Sequence, residues 1–237
     1  NPLTRNRRYA KARPGRGTHV RVKTAKGRKL SSTLWLQRQL NDPYVEAASR
    51  DGYRSRAAYK LAELNDRFGL LKKGAKVIDL GAAPGGWTQV IATATGAKNR
   101  STGGRVVAID MAPMDPLEGA EILTLDFLGP GASEAIMGCL GGPADAVLSD
   151  LAPAMTGHAK TDHLRIMALA EAAFEFAKEV LAPDGVFVAK VLQGGTEQNL
   201  LADMKKFFAA VRHAKPPASR SDSSEIYVVA AGFRGLK

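Results

Sequence analysis

The sequence predicts an α/β fold in which an open, doubly wound and mostly parallel sheet carries helices on both faces. From Lys76 onward, short apolar runs alternate with longer segments of helical periodicity, as in consecutive βαβ units. The apolar runs lack the polar alternation of a half-exposed strand, which is typical of strands covered on both faces. With 237 residues, 45% of them hydrophobic and 24% charged, the chain has the composition of a globular domain and not of a disordered chain.

Two helices are predicted before the first strand. Residues 31–40 form a short helix that begins at a serine cap and ends before Pro43. A second helix is predicted from about residue 55 to residue 68, because its apolar positions are spaced four, three and four and so share one face. Those positions are Ala57, Leu61, Leu64 and Phe68.

The rest of the chain alternates between predicted strands and helices. The apolar runs predict strands at 76–80, 105–110, 121–126, 144–150, 185–191, near 211–215 and at 224–231. The segments between them predict helices at 86–95, 131–140, 162–181 and 196–210. Asp162 is the expected N-cap of the helix at 162–181. No stretch approaches the ~18 unbroken apolar residues of a membrane span, so we expect no membrane association.

The net charge of +11 comes from the N-terminal segment. Residues 1–30 contain eleven lysines and arginines and no acidic residue, whereas residues 31–237 contain 23 basic and 23 acidic residues. A segment so basic and so poor in large apolar groups cannot bury enough surface to fold alone. We therefore predict a flexible tail at 1–30 that binds nucleic acid through its charge, with a solubilising extension as the alternative.

A glycine-rich loop follows the first predicted strand, within the segment DLGAAPGGWT at 79–88. Small residues let the backbone approach a ligand, and the next helix offers free N–H groups. A phosphate-binding P-loop would need a lysine after the last glycine, where Trp87 stands. The spacing of Gly81, Gly85 and Gly86 also differs from the dinucleotide pattern GxGxxG. Of the three loop types considered, the remaining one is the loop of S-adenosylmethionine-dependent methyltransferases.

Aspartates recur where the predicted strands end. Asp79, Asp110, Asp126 and Asp150 end or nearly end four successive strands, and parallel strands bring such ends to one edge of a sheet. Asp110 is placed to accept hydrogen bonds from the ribose of an adenosine, and Asp126 from the adenine amino group. The alternative is that each aspartate caps the turn that follows it. Their repetition favours a polar ligand site.

Several motifs resemble one known family. VIDLGAAPGGWTQ at 77–89, LSDLAP at 148–153, AKVLQG at 189–194 and SSEIYVV at 223–229 are similar to segments of the FtsJ/RrmJ family of RNA ribose 2′-O-methyltransferases. SRAAYKL at 55–61 resembles the segment that precedes the first strand in that family. The resemblance covers roughly residues 31–237. It implies a Rossmann-like methyltransferase domain over that range, with the last strand antiparallel.

The resemblance also implies site residues. The family's Lys-Asp-Lys-Glu tetrad falls on Lys60, Asp150, Lys190 and Glu225 without substitution. It further implies that the cofactor S-adenosyl-L-methionine contacts Gly85, Trp87, Asp110, Asp126 and Asp150, although tryptophan's size makes core packing an equal alternative for Trp87.

Methyl transfer to a ribose hydroxyl needs a group that aligns the hydroxyl and accepts its proton. A lysine can accept a proton only when its amine is neutral. We predict Lys190 as the general base, with Asp150 orienting it and with Lys60 and Glu225 holding the ribose. The alternative for one lysine–carboxylate pair is a structural role.

The expected activity is 2′-O-methylation of a uridine ribose in large-subunit 23S-type ribosomal RNA, on the assembled 50S subunit. The alternatives are a transfer RNA or mRNA cap substrate, or a non-catalytic RNA-binding factor of ribosome assembly. A nicotinamide dehydrogenase on the same fold is disfavoured by the loop spacing. With one cysteine, Cys139, and four histidines, no zinc-type ligand set is present. We expect a cytoplasmic, metal-free monomer whose partner is ribosomal RNA.

Overall fold

The computed structural model describes residues 20–22, 27, 30–99, 101, 103–153, 156–193 and 197–235. The helices are α1 (Leu30–Leu40), α2 (Pro43–Asp51), α3 (Ala57–Phe68), α4 (Gly86–Thr95), α5 (Ala132–Leu140), α6 (Ala159–Val180) and α7 (Glu197–Phe207). The strands are β1 (Lys76–Leu80), β2 (Arg105–Asp110), β3 (Glu121–Thr124), β4 (Ala144–Ser149), β5 (Leu181–Leu192), β6 (Phe208–Ala214) and β7 (Glu225–Phe233).

The seven strands form one sheet in the order β3-β2-β1-β4-β5-β7-β6. The pairs from β3 through β5 are parallel, whereas β7 runs antiparallel to both β5 and β6. The order reverses direction between β1 and β4, which is the switch point where such sheets bind ligands. This confirms the predicted mostly parallel α/β sheet with its last strand antiparallel.

Both faces of the sheet are buried, as the unbroken apolar runs predicted. On β1, Ile78 and Leu80 belong to a core that includes α5, α6 and α7, whereas Val77 belongs to a second core with α3 and α4. Neighbouring strands divide their side chains in the same way, since side chains alternate between the faces. The sheet is therefore doubly wound, and α3 and α4 lie together on one face.

The helix α2 is absent from the sequence-based prediction, which only ended the preceding helix at Pro43. The structure shows that Pro43 also begins a helix. Asp42 is its N-cap, with Oδ1 accepting from the N–H of Tyr44 at 3.0 Å, and Gly52 closes it in a left-handed conformation at φ 76°. Proline suits the first helical position because that N–H has no partner within a helix.

The prediction of Asp162 as an N-cap was wrong. The helix α6 begins three residues earlier, at Ala159, and His158 is its N-cap. Asp162 is buried and accepts hydrogen bonds from the backbone and hydroxyl of Thr156 and from the backbone of Gly157. It holds the segment between β4 and α6 instead of starting the helix.

The predicted tail at 1–30 lies mostly outside the described residues, so its role stays a prediction. Near its end, Val20 exchanges backbone hydrogen bonds with the side chain of Asn41 at 2.8 and 2.9 Å. Among the described residues, none of the helices is long and apolar enough to cross a membrane.

Candidate active site

The structure brings the four predicted tetrad residues together as two lysine–carboxylate pairs. Lys60 lies on α3, and its Nζ is 3.1 Å from Oε2 of Glu225, the first residue of β7. Lys190 lies on β5, and its Nζ is 3.3 Å from Oδ1 of Asp150, which directly follows β4. The Lys190 Nζ also donates to the backbone oxygen of Asp150 at 2.9 Å. Residues up to 165 positions apart in the chain thus meet at one edge of the sheet.

Tyr227 joins the two pairs and was missed by the sequence analysis. Its hydroxyl donates to Oδ1 of Asp150 at 2.7 Å, and Lys60 Nζ lies 5.8 Å from the centre of its ring. Lys190 and Tyr227 are direct partners in the β5–β7 register, so their side chains point to the same face. The signal available in the sequence was the spacing of Glu225 and Tyr227, because residues two apart on a strand share a face.

Both lysines are buried to a degree that is unusual for this residue type. Lys60 is 8% exposed and Lys190 is 5% exposed. The hydroxyl of Tyr227 is held neutral, because burial, and after it the charge of Asp150, raises its pKa well above the ordinary value. The site therefore holds two amines, two carboxylates and a phenol, and both amines and the phenol are buried.

The glycine loop approaches the end of β4 closely. A Cβ on Gly81 would lie 3.0 Å from the backbone of Leu151, and Gly81 has a φ of 77°. Gly85 has a φ of 111° and caps α4. The close approach to Leu151 requires a glycine at position 81, and the left-handed backbone conformation favours glycine at both positions. Without side chains here, the N-terminus of α4 is open to a ligand.

Asp110 ties the loop to β2 and keeps capacity for a ligand. Its Oδ2 accepts from the N–H of Ala83 at 2.9 Å and its Oδ1 from the N–H of Ala112 at 2.8 Å. Since a carboxylate has about four acceptor sites, about two remain for hydroxyl groups. Asp126 is exposed and its Oδ1 accepts from Leu128 at 3.0 Å, so both aspartates cap turns as the alternative proposed and still offer oxygens.

Trp87 lies in the core, and core packing is the alternative that the structure supports for its side chain. The residue is 3% exposed, its indole N–H donates to the backbone oxygen of Ala57 at 2.9 Å, and its ring is 5.6 Å from that of Tyr227. A cofactor contact at this position is therefore limited to the backbone at the start of α4. The ring instead supports the face of Tyr227.

Asp79 is not on the open edge where the sequence analysis placed it. It is fully buried, accepts a hydrogen bond from the Thr88 hydroxyl at 2.7 Å, and its Oδ1 has no partner among the described residues. Burial raises the pKa of Asp79 to about 7, and the charges of Asp150 and Asp110 add to that effect. Asp79 therefore supports the loop from inside.

No group of three or more potential metal ligands occurs among the residues whose positions are described.

A glycine loop at the switch point and two buried lysine–carboxylate pairs beside it define a Rossmann-like methyltransferase. Residues 53–233 match the model of the FtsJ-like methyltransferase family. The chain belongs to that family, as the sequence motifs predicted.

Named relatives agree with this assignment. The chain is 62% identical to a protein of Paramagnetospirillum magneticum named "Ribosomal RNA large subunit methyltransferase E", over 93% of this chain and 90% of that protein. A crystal structure described as a ribosomal RNA methyltransferase of Plasmodium falciparum is 28% identical, with a TM-score of 0.68, and matches 78% of this chain and all of that one. Human methyltransferase-like protein 13, solved with SAH, shares the fold at 13% identity, over 75% of this chain and 84% of that one, with a TM-score of 0.52.

Proposed function

We propose that this protein uses S-adenosyl-L-methionine to methylate the 2′ oxygen of a ribose in large-subunit ribosomal RNA. The named relatives support the ribosomal RNA substrate. The finer assignment, a uridine of 23S-type RNA in the assembled 50S subunit, follows the family resemblance in the sequence. One observation carries the chemistry: Lys190 and Lys60 lie buried, each against a carboxylate, at the edge of the sheet that bears the glycine loop.

The residues beside the switch point fit the cofactor. The N–H of Gly85 is taken by the carbonyl oxygen of Ala82 at 2.7 Å, so Gly85 contributes by having no side chain, and Trp87 offers its backbone N–H in the first turn of α4. Asp110 has acceptor sites for ribose hydroxyls, and exposed Asp126 can accept from an adenine amino group. Asp150 is the fifth residue of this set and lies between the loop and Lys190. When bound, the sulfonium supplies an electrophilic methyl group for in-line displacement.

Lys190 is placed to take the proton of the attacking hydroxyl. Two oxygens of Asp150, one from the side chain and one from the backbone, fix the position of Nζ. In its neutral form Nζ accepts the 2′ proton as the new O–C bond forms, and the bond from sulfur to the methyl carbon breaks. Lys60 and Glu225, the other lysine–carboxylate pair of the tetrad, hold the ribose by hydrogen bonds to its oxygens.

The assignment is tested by mapping ribose methylation. Large subunits from cells lacking this protein should gain one 2′-O-methyluridine, located by mass spectrometry, when incubated with the pure protein and cofactor. Lys190→Ala should lower turnover by about 10² to 10⁴. Calorimetry should show that the variant still binds the cofactor. Retained turnover would remove Lys190 from the mechanism.

The same experiment separates the remaining substrates. Methylation of transfer RNA or of capped mRNA, with none on large subunits, would replace the ribosomal substrate. Methyl incorporation that never exceeds background in any RNA would favour the non-catalytic assembly factor. A monomeric, cytoplasmic protein stays a prediction from the sequence.

A further inference from the structure

A cavity of about 480 Å³ lies beside the active site, between α1, α2 and the segment that joins β6 to β7. We refer to it as the α1–α2 cavity. It shares Arg38, Arg56 and Arg220 with a second cavity of about 400 Å³, which is lined by Lys60 and Glu225 of the tetrad. The two cavities are therefore lobes of one groove that starts at the proposed catalytic residues.

Two of the three arginines of the α1–α2 cavity, Arg56 and Arg220, are held in place by a single carboxylate. Oδ2 of Asp42 lies 3.1 Å from Nε of Arg56 and 3.2 Å from Nη2 of Arg220. Arg56 also donates to the backbone oxygen of Ala218. A guanidinium has five N–H groups, so these contacts leave several on each arginine for a ligand.

Two buried polar atoms in the cavity wall have no hydrogen-bond partner among the described residues: Oγ of Ser219, a residue that is 7% exposed, and Nε of Arg56. Nε of Arg56 faces Asp42 at ion-pair distance without the alignment of a hydrogen bond. Buried polar atoms in native proteins are nearly always satisfied, so the hydroxyl of Ser219, which has no ionic partner either, indicates a polar ligand at the cavity wall.

The charge and the surface of the cavity indicate the class of ligand. Its charged wall residues are three arginines and two aspartates, Asp42 and Asp222, which leaves one net positive charge. One phosphodiester carries one negative charge. Tyr44 also lines the cavity, and aromatic rings and guanidinium planes are the surfaces on which unpaired RNA bases stack.

The cavity is also at a suitable distance from the tetrad. Arg56 is the N-cap of α3 and precedes Lys60 by four residues, so the two residues lie about one helical turn apart, ~6 Å along the axis. Neighbouring phosphates of a stacked strand are ~3.4 Å apart along its axis, and farther apart when the strand is extended.

We propose that the α1–α2 cavity binds the nucleotide next to the one whose ribose is methylated, with its phosphate on Arg220 and Arg56. Asp42 acts as the positioning residue for both arginines, and Ser219 donates to the bound nucleotide. The inference rests on the proposed function, because it takes RNA as the substrate of the neighbouring tetrad.

The test compares Arg220→Ala and Ser219→Ala with the wild type on large subunits that lack the methyl group. Arg220→Ala should raise KM about tenfold and change kcat little, as expected for loss of a charged hydrogen bond made before and during the reaction. The slope of log(kcat/KM) against log salt should become shallower by about 0.7 to 1. Ser219→Ala should raise KM about threefold, as for a neutral hydrogen bond.

The matched control is Arg212→Ala, which removes the same charge from an exposed position on β6. It should leave KM and the salt slope at wild-type values. Cofactor affinity and thermal unfolding, measured for every variant, should stay unchanged. Ser219→Ala keeps the test decisive even if Arg220→Ala fails to fold.

The outcomes separate the two proposals. A wild-type KM in both Arg220→Ala and Ser219→Ala, together with a wild-type salt slope in Arg220→Ala, would refute the nucleotide subsite and leave the methylation proposal standing. Absence of ribose methylation by the wild type would refute the methylation proposal. Binding of the same particles by cosedimentation would then still report the subsite through the salt slope of Arg220→Ala.

Discussion

Tyr227 illustrates how a residue that the sequence analysis did not single out, although it lies within the motif at 223–229, can hold the candidate active site together. It is fully buried between Trp87 and the tetrad, and its hydroxyl contacts the same oxygen of Asp150 that faces Lys190. The phenol thereby fixes one rotamer of Asp150. Asp150 in turn fixes Lys190, so the packed core positions the amine through Tyr227 and Asp150.

Tyr227→Phe should keep the packing and remove the positioning hydrogen bond. We expect kcat to fall about tenfold, because a hydrogen bond to a charged group contributes roughly 1.5–3 kcal/mol and Asp150, left with Lys190 alone on Oδ1, gains freedom to move. Single-turnover methyl transfer measures the effect. The matched control is Tyr59→Phe, which removes a hydroxyl bonded to Asp51 outside the tetrad and should leave kcat unchanged. Equal rates for both variants would contradict the positioning role.

Asp79 gives a stability prediction with a definite sign. Its pKa is about 7 in the folded protein and 3.8 for the free side chain. Between these two values the unfolded chain ionises while the folded protein keeps its proton, so the free energy of unfolding falls as pH rises from about 4 to 7.

Asp79→Asn should remove that pH dependence. At pH 4 the variant should be less stable than the wild type, because the amide replaces a neutral carboxyl. Between pH 4 and pH 8 the difference in the free energy of unfolding should shift in favour of the variant by up to about 4 kcal/mol. Urea unfolding at several pH values measures this difference. Parallel pH profiles for the two proteins would show that Asp79 is not protonated in the folded state.

At the scale of elements, the contact between α3 and α4 positions the glycine loop against Lys60. Gly86, the first residue of α4, is required by that contact, because a Cβ there would lie 2.2 Å from Oγ of Ser55 and 3.3 Å from the N–H of Ala58. Its φ is not positive, so the requirement is close approach and not backbone conformation.

Gly86→Ala should therefore destabilise the protein by about 1–3 kcal/mol and weaken cofactor binding, because α4 must move away from α3. The matched control is Gly138→Ala, since Gly138 lies inside α5 with nothing within 4 Å of its added Cβ. That variant should gain about 0.5–1 kcal/mol from helix propensity. Denaturant unfolding and cofactor calorimetry measure both, and a neutral Gly86→Ala would mean that Ser55 can turn away at no cost.

At the scale of the whole molecule, the excess positive charge and the proposed catalytic residues lie in different parts of the chain. The excess of positive charge lies in residues 1–30, whereas the tetrad is balanced and lies in the neutral remainder of the chain. Affinity for RNA that comes from charge alone depends on salt, and the methyl transfer step does not. The tail and the active site should therefore respond differently to ionic strength.

Replacing Arg7 and Arg8 by glutamine should reduce the salt slope of large-subunit binding by about 1.4 to 1.8, the contribution of two released counterions. The single-turnover rate at saturation should not change. The control replaces Lys72 and Lys73, exposed residues of the turn before β1 at the opposite edge of the sheet. If both double variants alter the slope equally, the tail has no special part in RNA binding.

The sequence by itself predicted the seven strands, every described helix except α2, and the bounds of α4 and β2, because periodicity is a local property of the chain. It also predicted, through short motifs that resemble a family, the four tetrad residues that the structure brings together. It left α2 unassigned because Pro43 is compatible with ending one helix and with starting the next, and only the Asp42 cap distinguishes the two.

The tertiary structure alone decided that Trp87 packs in the core, that Asp79 is buried, and that Tyr227 lies between the two lysines. These placements depend on the β5–β7 register and on the packing of α3 against α4. Such long-range contacts are set by burial over the whole molecule, which no local segment of the sequence specifies.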